Sequence, residues 1–165
     1  MIAIIDYDAG NLNSVQKAFQ FLGEEAVITR DSEVIRSASH VVLPGVGAFA
    51  DAMDNLQRYE LVDVVREAAF SGKPFLGICL GLQLLFDSSE ESPGVKGLSV
   101  LPGRILRIPD APGLKIPHMG WNSLEVKPGA KLFAGLSGEP YVYFVHSYYL
   151  AAENEADVAA TTEYS

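Results

Sequence analysis

Short apolar runs alternate with segments of helical spacing through the first half of the chain, and no other feature limits the possible folds as strongly. The runs cover residues 1–6, 26–28, 40–43 and 74–78. Parallel strands need a crossover connection, which is usually a helix. Strands that are apolar along their whole length are typical of sheets buried on both faces. We therefore predict an α/β fold in which helices flank a mostly parallel sheet on both sides.

The helical segments have recognisable limits. The first is predicted to begin at Asn13 or Ser14, residue types that cap helices. A longer helical pattern covers residues 48–70 and is interrupted near Tyr59, and another helix is predicted over residues 80–86.

The second half of the chain has a different texture. From about residue 88 glycine and proline recur every few residues, which is typical of turns. We predict antiparallel hairpins added to the parallel core, within a single domain of residues 1–165, because neither a linker nor a repeat divides the chain. The expected strands are residues 104–108, 123–126, 141–145 and 157–161.

Composition argues against several classes of protein. Of the 165 residues, 48% are hydrophobic, enough to bury a core. The formal net charge of −9 repels phosphate backbones, so we expect no nucleic-acid partner. The longest apolar stretch is too short to cross a membrane, and the N-terminus lacks the basic residues of a signal peptide, so we expect a cytoplasmic protein. The single cysteine allows no internal disulfide, and no metal-ligand spacing is evident.

Cys79 is the strongest candidate for a functional residue. It lies in Gly77-Ile78-Cys79-Leu80-Gly81, after an apolar strand and before a helix. Glycines two residues on either side of a nucleophile allow a sharp turn that exposes its side chain at the carboxyl end of the sheet. The positive end of the following helix favours the reactive thiolate. A lone cysteine is more often a buried structural residue, but this setting predicts a nucleophile.

Such a nucleophile needs hydrogen-bond donors for an oxyanion. The amide of Leu80 is one candidate. The segment Pro44-Gly45-Val46-Gly47 is another, because it follows the third strand and should reach the same edge of the sheet. Taken alone, a segment of this composition is more often an ordinary turn.

The nucleophile also needs a base, and the chain contains three histidines. His40 begins a strand, so it is expected at the amino end of the sheet, away from Cys79, with a structural role. His118 lies in a stretch rich in proline and glycine that predicts no position for it. His146 follows an apolar run and is the best placed, although a single histidine at a strand end is more often structural.

At these residues the chain resembles the class I glutamine amidotransferases, which release ammonia from glutamine with a Cys-His-Glu triad. Their fold implies a flavodoxin-like, three-layer arrangement for this chain. Several motifs narrow the resemblance to one subfamily, the glutaminase subunit of imidazole glycerol phosphate synthase in histidine biosynthesis. The matching segments are residues 5–7, 10–11, 44–49, 77–83, 93–98, 117–122 and 144–148.

The resemblance implies that Cys79 attacks the glutamine amide and that the ammonia passes to a (β/α)₈ cyclase subunit in a heterodimer. It implies neither a metal nor a cofactor. The oxyanion donors are expected to be Leu80, Gly45, Val46 and Gly47. The glutamine site is expected to be lined by Gly47, Gln83, Glu91, Ser147 and Tyr148. The partner is expected to contact His118, Met119, Trp121 and Asn122.

The resemblance also changes the interpretation of the histidines. His146 matches a Phe-Val-His-Ser-Tyr motif that borders the glutamine site, so it is not the expected base. In the family, the triad histidine and glutamate lie in a His-Pro-Glu segment, which residues 1–165 do not contain. The chain is therefore expected to be C-terminally truncated and inactive as it stands.

Two alternative functions remain open at the level of sequence. A non-catalytic binding or stress-response module can keep the same sharp turn on the same fold. An amidotransferase subunit of another pathway is the second alternative. Gln83 and residues 117–122 favour the glutaminase subunit over the first alternative, and residues 117–122 alone argue against the second.

Overall fold

A computed structural model describes residues 1–164 and contains the predicted parallel sheet. Its strands are β1 (Ile2–Ile5), β2 (Ala26–Thr29), β3 (His40–Gly45) and β4 (Phe75–Cys79). They lie in the order β2-β1-β3-β4, and every neighbouring pair is parallel. The carboxyl ends of all four strands therefore meet at one edge of the sheet.

Within the described residues 1–164, five α-helices accompany this sheet: α1 (Leu12–Phe21), α2 (Ser32–Ser37), α3 (Phe49–Arg58), α4 (Val62–Phe70) and α5 (Leu80–Gln83). The predicted break near Tyr59 is confirmed, and Glu60 there has a φ of 55°. The predicted start of α1 is wrong. Asn11 caps that helix by accepting a hydrogen bond from the Ser14 amide, so the helix begins earlier than expected.

Helix α5 ends earlier than the sequence predicts. The carbonyl oxygens of Leu84 and Phe86 accept hydrogen bonds from the amides of Leu98 and Ser99. These partners come from a separate segment of the chain, so the backbone after Gln83 is satisfied without continuing the helix.

Both faces of the sheet are covered, which explains the unbroken apolar runs. On one face Ala3 and Ile5 of β1 belong to the larger core cluster, which includes Phe49 of α3. On the other face Ile4 packs with partly buried residues of α1 such as Val15. The chain thus forms the expected three layers.

The second half of the chain, as far as residue 164, adds short strands and two 3₁₀ turns, Lys131–Phe133 and Glu155–Asp157. The strands are β5 (Ser88–Ser89), β6 (Gly103–Arg107), β7 (His118–Ser123), β8 (Glu125–Val126), β9 (Tyr141–His146), β10 (Tyr148–Ala152) and β11 (Ala160–Thr161). The antiparallel pairs are β6 with β10, β7 with β9 and β8 with β11, and β5 runs parallel to β6. Antiparallel additions were predicted, but these pairs join strands that are distant along the chain, so they are not local hairpins.

Within residues 1–164, no helix has the length and apolar character needed to cross a membrane.

Candidate active site

Cys79 lies on the sharp turn that the sequence predicts. It is the last residue of β4 and the N-cap of α5, with φ 55° and ψ −117°, and its side chain is exposed. A residue with a side chain in this region of backbone space costs about 1–3 kcal/mol and persists only when its surroundings hold it there. The turn therefore presents the thiol at the carboxyl edge of the sheet.

The two glycines flanking Cys79 allow α5 to pack directly on the strands. A Cβ atom on Gly77 would lie 2.7 Å from Cα of Leu82, and one on Gly81 would overlap the carbonyl oxygen of Leu43. Real Cβ atoms essentially never come within 3.0 Å of such atoms. The glycine spacing is thus required by close backbone packing on both sides of the turn.

Residues 44–47, the oxyanion segment, lie beside Cys79. In the register between β3 and β4, Gly45 is opposite Cys79. A Cβ atom on Gly45 would lie 2.8 Å from the Gly81 nitrogen and 3.0 Å from Cβ of Leu80, so the Gly45 backbone rests against the first turn of α5. Val46 is 60% exposed, and Gly47 has a φ of 99° and open space around it. The structure brings together all four residues expected to hold the oxyanion.

Glu91 joins this site in a way that its sequence position does not reveal. One of its carboxylate oxygens accepts a hydrogen bond of 2.8 Å from the Phe49 amide, and the Ser92 hydroxyl accepts one of 3.2 Å from the Ala50 amide. These bonds cap the N-terminus of α3, where Ala48 supplies no side-chain cap of its own. Because α3 follows the oxyanion segment, Glu91 and Ser92 hold the far end of that segment.

The other residues expected to line the glutamine site lie on separate elements of the fold. Gln83 is the last residue of α5 and is partly buried. Ser147 lies in the bend between β9 and β10, and Tyr148 begins β10, opposite Arg107 of β6. The amide of Arg107 donates to Glu90, the neighbour of Glu91. This path connects the second sheet to the segment that caps α3.

None of the three histidines is hydrogen-bonded to Cys79 in the part of the chain that the structure describes. His40 is exposed at the amino end of β3, where the sequence placed it. Nε2 of His146 is 3.3 Å from Nδ1 of His118, and Nδ1 of His146 is 2.8 Å from the Tyr148 carbonyl oxygen. One nitrogen of His146 thus contacts the neighbouring strand β7, and the other contacts the first residue of β10.

The two faces of the ribbon of β7 and β9 differ in exposure, because one is mostly partly buried and the other is exposed. His118, expected at a partner interface, is only 4% exposed: its ring stacks between Phe144 and Tyr164, with centroids 4.5 and 3.8 Å away. Burial first, and the neighbouring His146 second, lower the pKa of His118. Asn122 is partly buried and donates to the Glu163 carbonyl. The exposed apolar face consists of Met119, Trp121, Tyr141, Tyr143 and Val145.

A charged cluster holds the loop that follows β1. Arg30 donates to Asp6 and Asp8 at 2.7 and 2.9 Å, and its guanidinium lies over the ring of Tyr59. The hydroxyl of Tyr59 also donates to Asp8; this bond first, and Arg30 next, keep the pKa of Asp8 below its ordinary value. A Cβ atom on Gly10, in the same loop, would be 3.3 Å from the Gly45 nitrogen. The loop therefore lies directly against the oxyanion segment.

Comparison with known proteins decides the family. The model of the family "Glutamine amidotransferase class-I" matches residues 3–165. The chain belongs to the class-I glutamine amidotransferases. Among solved structures, this amidotransferase is similar to a crystal structure of a glutamine amidotransferase, with a TM-score of 0.72 and 22% identity over 97% of the chain and 79% of the other. At that level of identity the match shows the fold.

Curated relatives of this amidotransferase are much closer in sequence. The imidazole glycerol phosphate synthase subunit HisH of Moorella thermoacetica is 56% identical over 164 residues, which cover 99% of this chain and 77% of the relative. The HisH subunit of Methanothermobacter thermautotrophicus is 51% identical over 161 residues, 98% of this chain and 79% of the relative. The predicted resemblance is confirmed, and a non-catalytic module on the same fold is not favoured.

Proposed function

We propose that this chain is the glutaminase subunit of imidazole glycerol phosphate synthase. Together with a triad histidine and glutamate, which residues 1–165 do not contain, Cys79 of this subunit hydrolyses glutamine to glutamate and ammonia. A (β/α)₈ cyclase subunit then uses the ammonia to make imidazole glycerol phosphate and an aminoimidazole carboxamide ribonucleotide. The observation that carries the proposal is the exposed thiol of Cys79, held at positive φ directly opposite Gly45. The names of relatives that share about half of the sequence supply the pathway. The same pathway gives the proposed location, the cytoplasm.

Catalysis begins at Cys79. Its sulfur adds to the amide carbonyl of glutamine, and the carbonyl oxygen becomes an oxyanion. Leu80 opens α5 directly after β4, and the oxyanion segment ends and follows β3, and these two strands end side by side. The amides of both can therefore donate to that oxygen together. The carbon–nitrogen bond then breaks, ammonia leaves with a proton, and water hydrolyses the thioester to glutamate. His118 and His146 are engaged with each other, and His40 lies at the amino end of β3, away from Cys79, so none of the three histidines is proposed as the base.

Glutamine binding is proposed to use both ends of the oxyanion segment. Gly47 lies in open space beside the nucleophile, where the substrate backbone can approach. Glu91 uses one carboxylate oxygen to cap α3, and the other is proposed to bind the α-ammonium group of the substrate. Gln83, Ser147 and Tyr148 are proposed to complete the site.

The cyclase subunit is proposed to bind the exposed face of the ribbon. Trp121 is 71% exposed and makes an edge-on contact with Tyr143 across the two strands. A large exposed aromatic among apolar neighbours is typical of the anchor of an interface. Met119 belongs to the same face, and Asn122 is proposed to contact the partner at the edge of this face. His118 is buried and is not proposed to contact the partner.

The proposal is tested by labelling Cys79. A glutamine analogue that carries a chloromethyl ketone in place of its carboxamide should alkylate this residue near neutral pH, and L-glutamine should protect it. Cys79→Ser is the control and should abolish labelling. D-glutamine should protect poorly, because the site recognises the α-carbon substituents. Labelling that survives the substitution, or that L-glutamine leaves unchanged, contradicts the proposal.

A further inference from the structure

Tyr7 is completely buried beneath the oxyanion segment, although nothing in the resemblance assigns it a role. Its hydroxyl donates a hydrogen bond of 2.6 Å to the carbonyl oxygen of Pro44. The same hydroxyl oxygen would be 2.5 Å from a Cβ atom on Gly45. The ring therefore fills the space directly behind the first peptide of the segment, and Gly45 leaves the room for it.

The contact fixes the orientation of a backbone unit. The carbonyl and amide groups of one trans peptide are coplanar and point in opposite directions. By holding the Pro44 carbonyl, Tyr7 sets the plane of the peptide between Pro44 and Gly45, and with it the direction in which the chain enters Val46. At the other end Glu91 and Ser92 hold the first amides of α3. Only residues 46–48 lie between the peptide held by Tyr7 and the amides held by Glu91 and Ser92.

We propose that Tyr7 is a positioning residue for catalysis: its hydroxyl holds the Pro44 carbonyl so that amides of the oxyanion segment face the carbon attacked by Cys79. This inference rests on the proposed glutaminase function. The hydroxyl of Tyr7 is bonded to the Pro44 carbonyl, so its proposed action on catalysis passes through the backbone of the segment.

The environment of Tyr7 keeps its hydroxyl protonated, so that the hydroxyl remains a hydrogen-bond donor. Burial first, and the charge of Cys79 second, raise the pKa of its phenol well above the ordinary value. The hydroxyl therefore keeps its proton when Cys79 is a thiolate. A side chain without a hydroxyl, such as phenylalanine, fills the same space but leaves the Pro44 carbonyl without this donor.

The experiment compares two reagents on the intact chain. Addition of the Cys79 thiolate to the chloromethyl ketone of the glutamine analogue generates an oxyanion before chloride leaves and a thioether forms. Iodoacetamide loses iodide by direct displacement and generates no oxyanion. In Tyr7→Phe we expect the second-order rate constant for the ketone to fall about tenfold, because small misplacements of catalytic groups cost this much or more. The rate with iodoacetamide should stay within about twofold of wild type.

Tyr164→Phe is the matched control. The Tyr164 hydroxyl also donates to a backbone carbonyl, that of Lys115, but on the β7 side of the molecule. Neither rate should change in this variant. If the two rates fall equally in Tyr7→Phe, Cys79 itself has moved, and if neither falls, the anchor has no catalytic effect; either result overturns the inference. If the ketone does not label wild-type Cys79, the proposed function fails instead.

A measurement on the unmodified protein covers the case in which Tyr7→Phe does not fold. A buried, hydrogen-bonded hydroxyl proton exchanges slowly with water and gives a resolved NMR signal correlated with its own ring. We expect such a signal for Tyr7 at low temperature and neutral pH. Its absence shows that the bond to Pro44 does not persist in solution and overturns the inference without any variant.

Discussion

Replacing Gly77 by alanine places a methyl group against the backbone of α5. The new Cβ atom would lie 2.7 Å from Cα and 2.8 Å from the nitrogen of Leu82, and 3.0 Å from the Gly81 carbonyl oxygen. Relaxed contacts between carbon atoms need about 3.5–4.0 Å, so the helix must move by about 1 Å. Forcing a methyl group into packed structure costs about 1–3 kcal/mol. Alanine also lowers the conformational entropy of the unfolded chain relative to glycine, which stabilises the folded state by about 0.4–1 kcal/mol.

The expected net loss is about 1–2 kcal/mol of unfolding free energy, measured by urea denaturation. For a chain of this size that corresponds to a fall of roughly 2–8 °C in Tm. Gly81→Ala should lower the unfolding free energy by more than Gly77→Ala does, because its methyl group would overlap the carbonyl oxygen of Leu43, a backbone atom. Gly23→Ala is the control with open space around it, although its φ of 82° adds some strain.

The thiol provides a second measurement on the same variants. A displaced α5 changes the turn at Cys79, so alkylation by iodoacetamide should slow in Gly77→Ala and stay at the wild-type rate in Gly23→Ala. If Gly77→Ala is as stable as wild type, the close approach of α5 to β4 does not exist in solution and the explanation of the glycine spacing is refuted.

Two further predictions concern the ribbon of β7 and β9. Trp121→Ala should weaken binding of the cyclase subunit by roughly 30-fold in calorimetry, the size of effect usual for an interface anchor. Leu132 is exposed outside the ribbon, so Leu132→Ala should leave the affinity unchanged. If Trp121→Ala binds the cyclase subunit as tightly as wild type does, Trp121 is not part of the interface. The unfolding free energy should also decrease as the pH falls from 7 to 5, because the lowered pKa of His118 makes the folded chain bind fewer protons than the unfolded chain. His118→Phe should flatten this dependence in urea titrations at the two pH values, and a dependence that stays the same would show that another group causes it.

Much of the first half of the fold could be predicted because local sequence determines it. Four unbroken apolar runs give the four parallel strands. The glycines around Cys79 predict the sharp turn, since a nucleophile at positive φ needs small neighbours. The break near Tyr59 is also local, because α3 ends at Arg58 and α4 begins at Val62, with Glu60 at positive φ between them.

The rest depends on contacts that sequence patterns do not encode. Nothing in the sequence around Tyr7 indicates its hydrogen-bond partner. Its hydroxyl meets the Pro44 carbonyl only because the fold brings these distant residues together. The caps of α3 come from Glu91 and Ser92, distant residues that no local capping pattern would suggest. The partners of β7 and β9 are likewise far apart, which is why local hairpins were expected in their place.

The pairing of Gly45 with Cys79 fixes the lengths of two strands. From Val41 opposite Phe75 to Gly45 opposite Cys79, each residue of β3 is matched to one of β4. Inserting or deleting one residue in either strand shifts the pairing and turns the following side chains to the other face of the sheet. The thiol then loses its neighbour even though both motifs remain intact in the sequence. Differences in length between this chain and active relatives should therefore fall in loops such as residues 127–140, and never within either of these two strands.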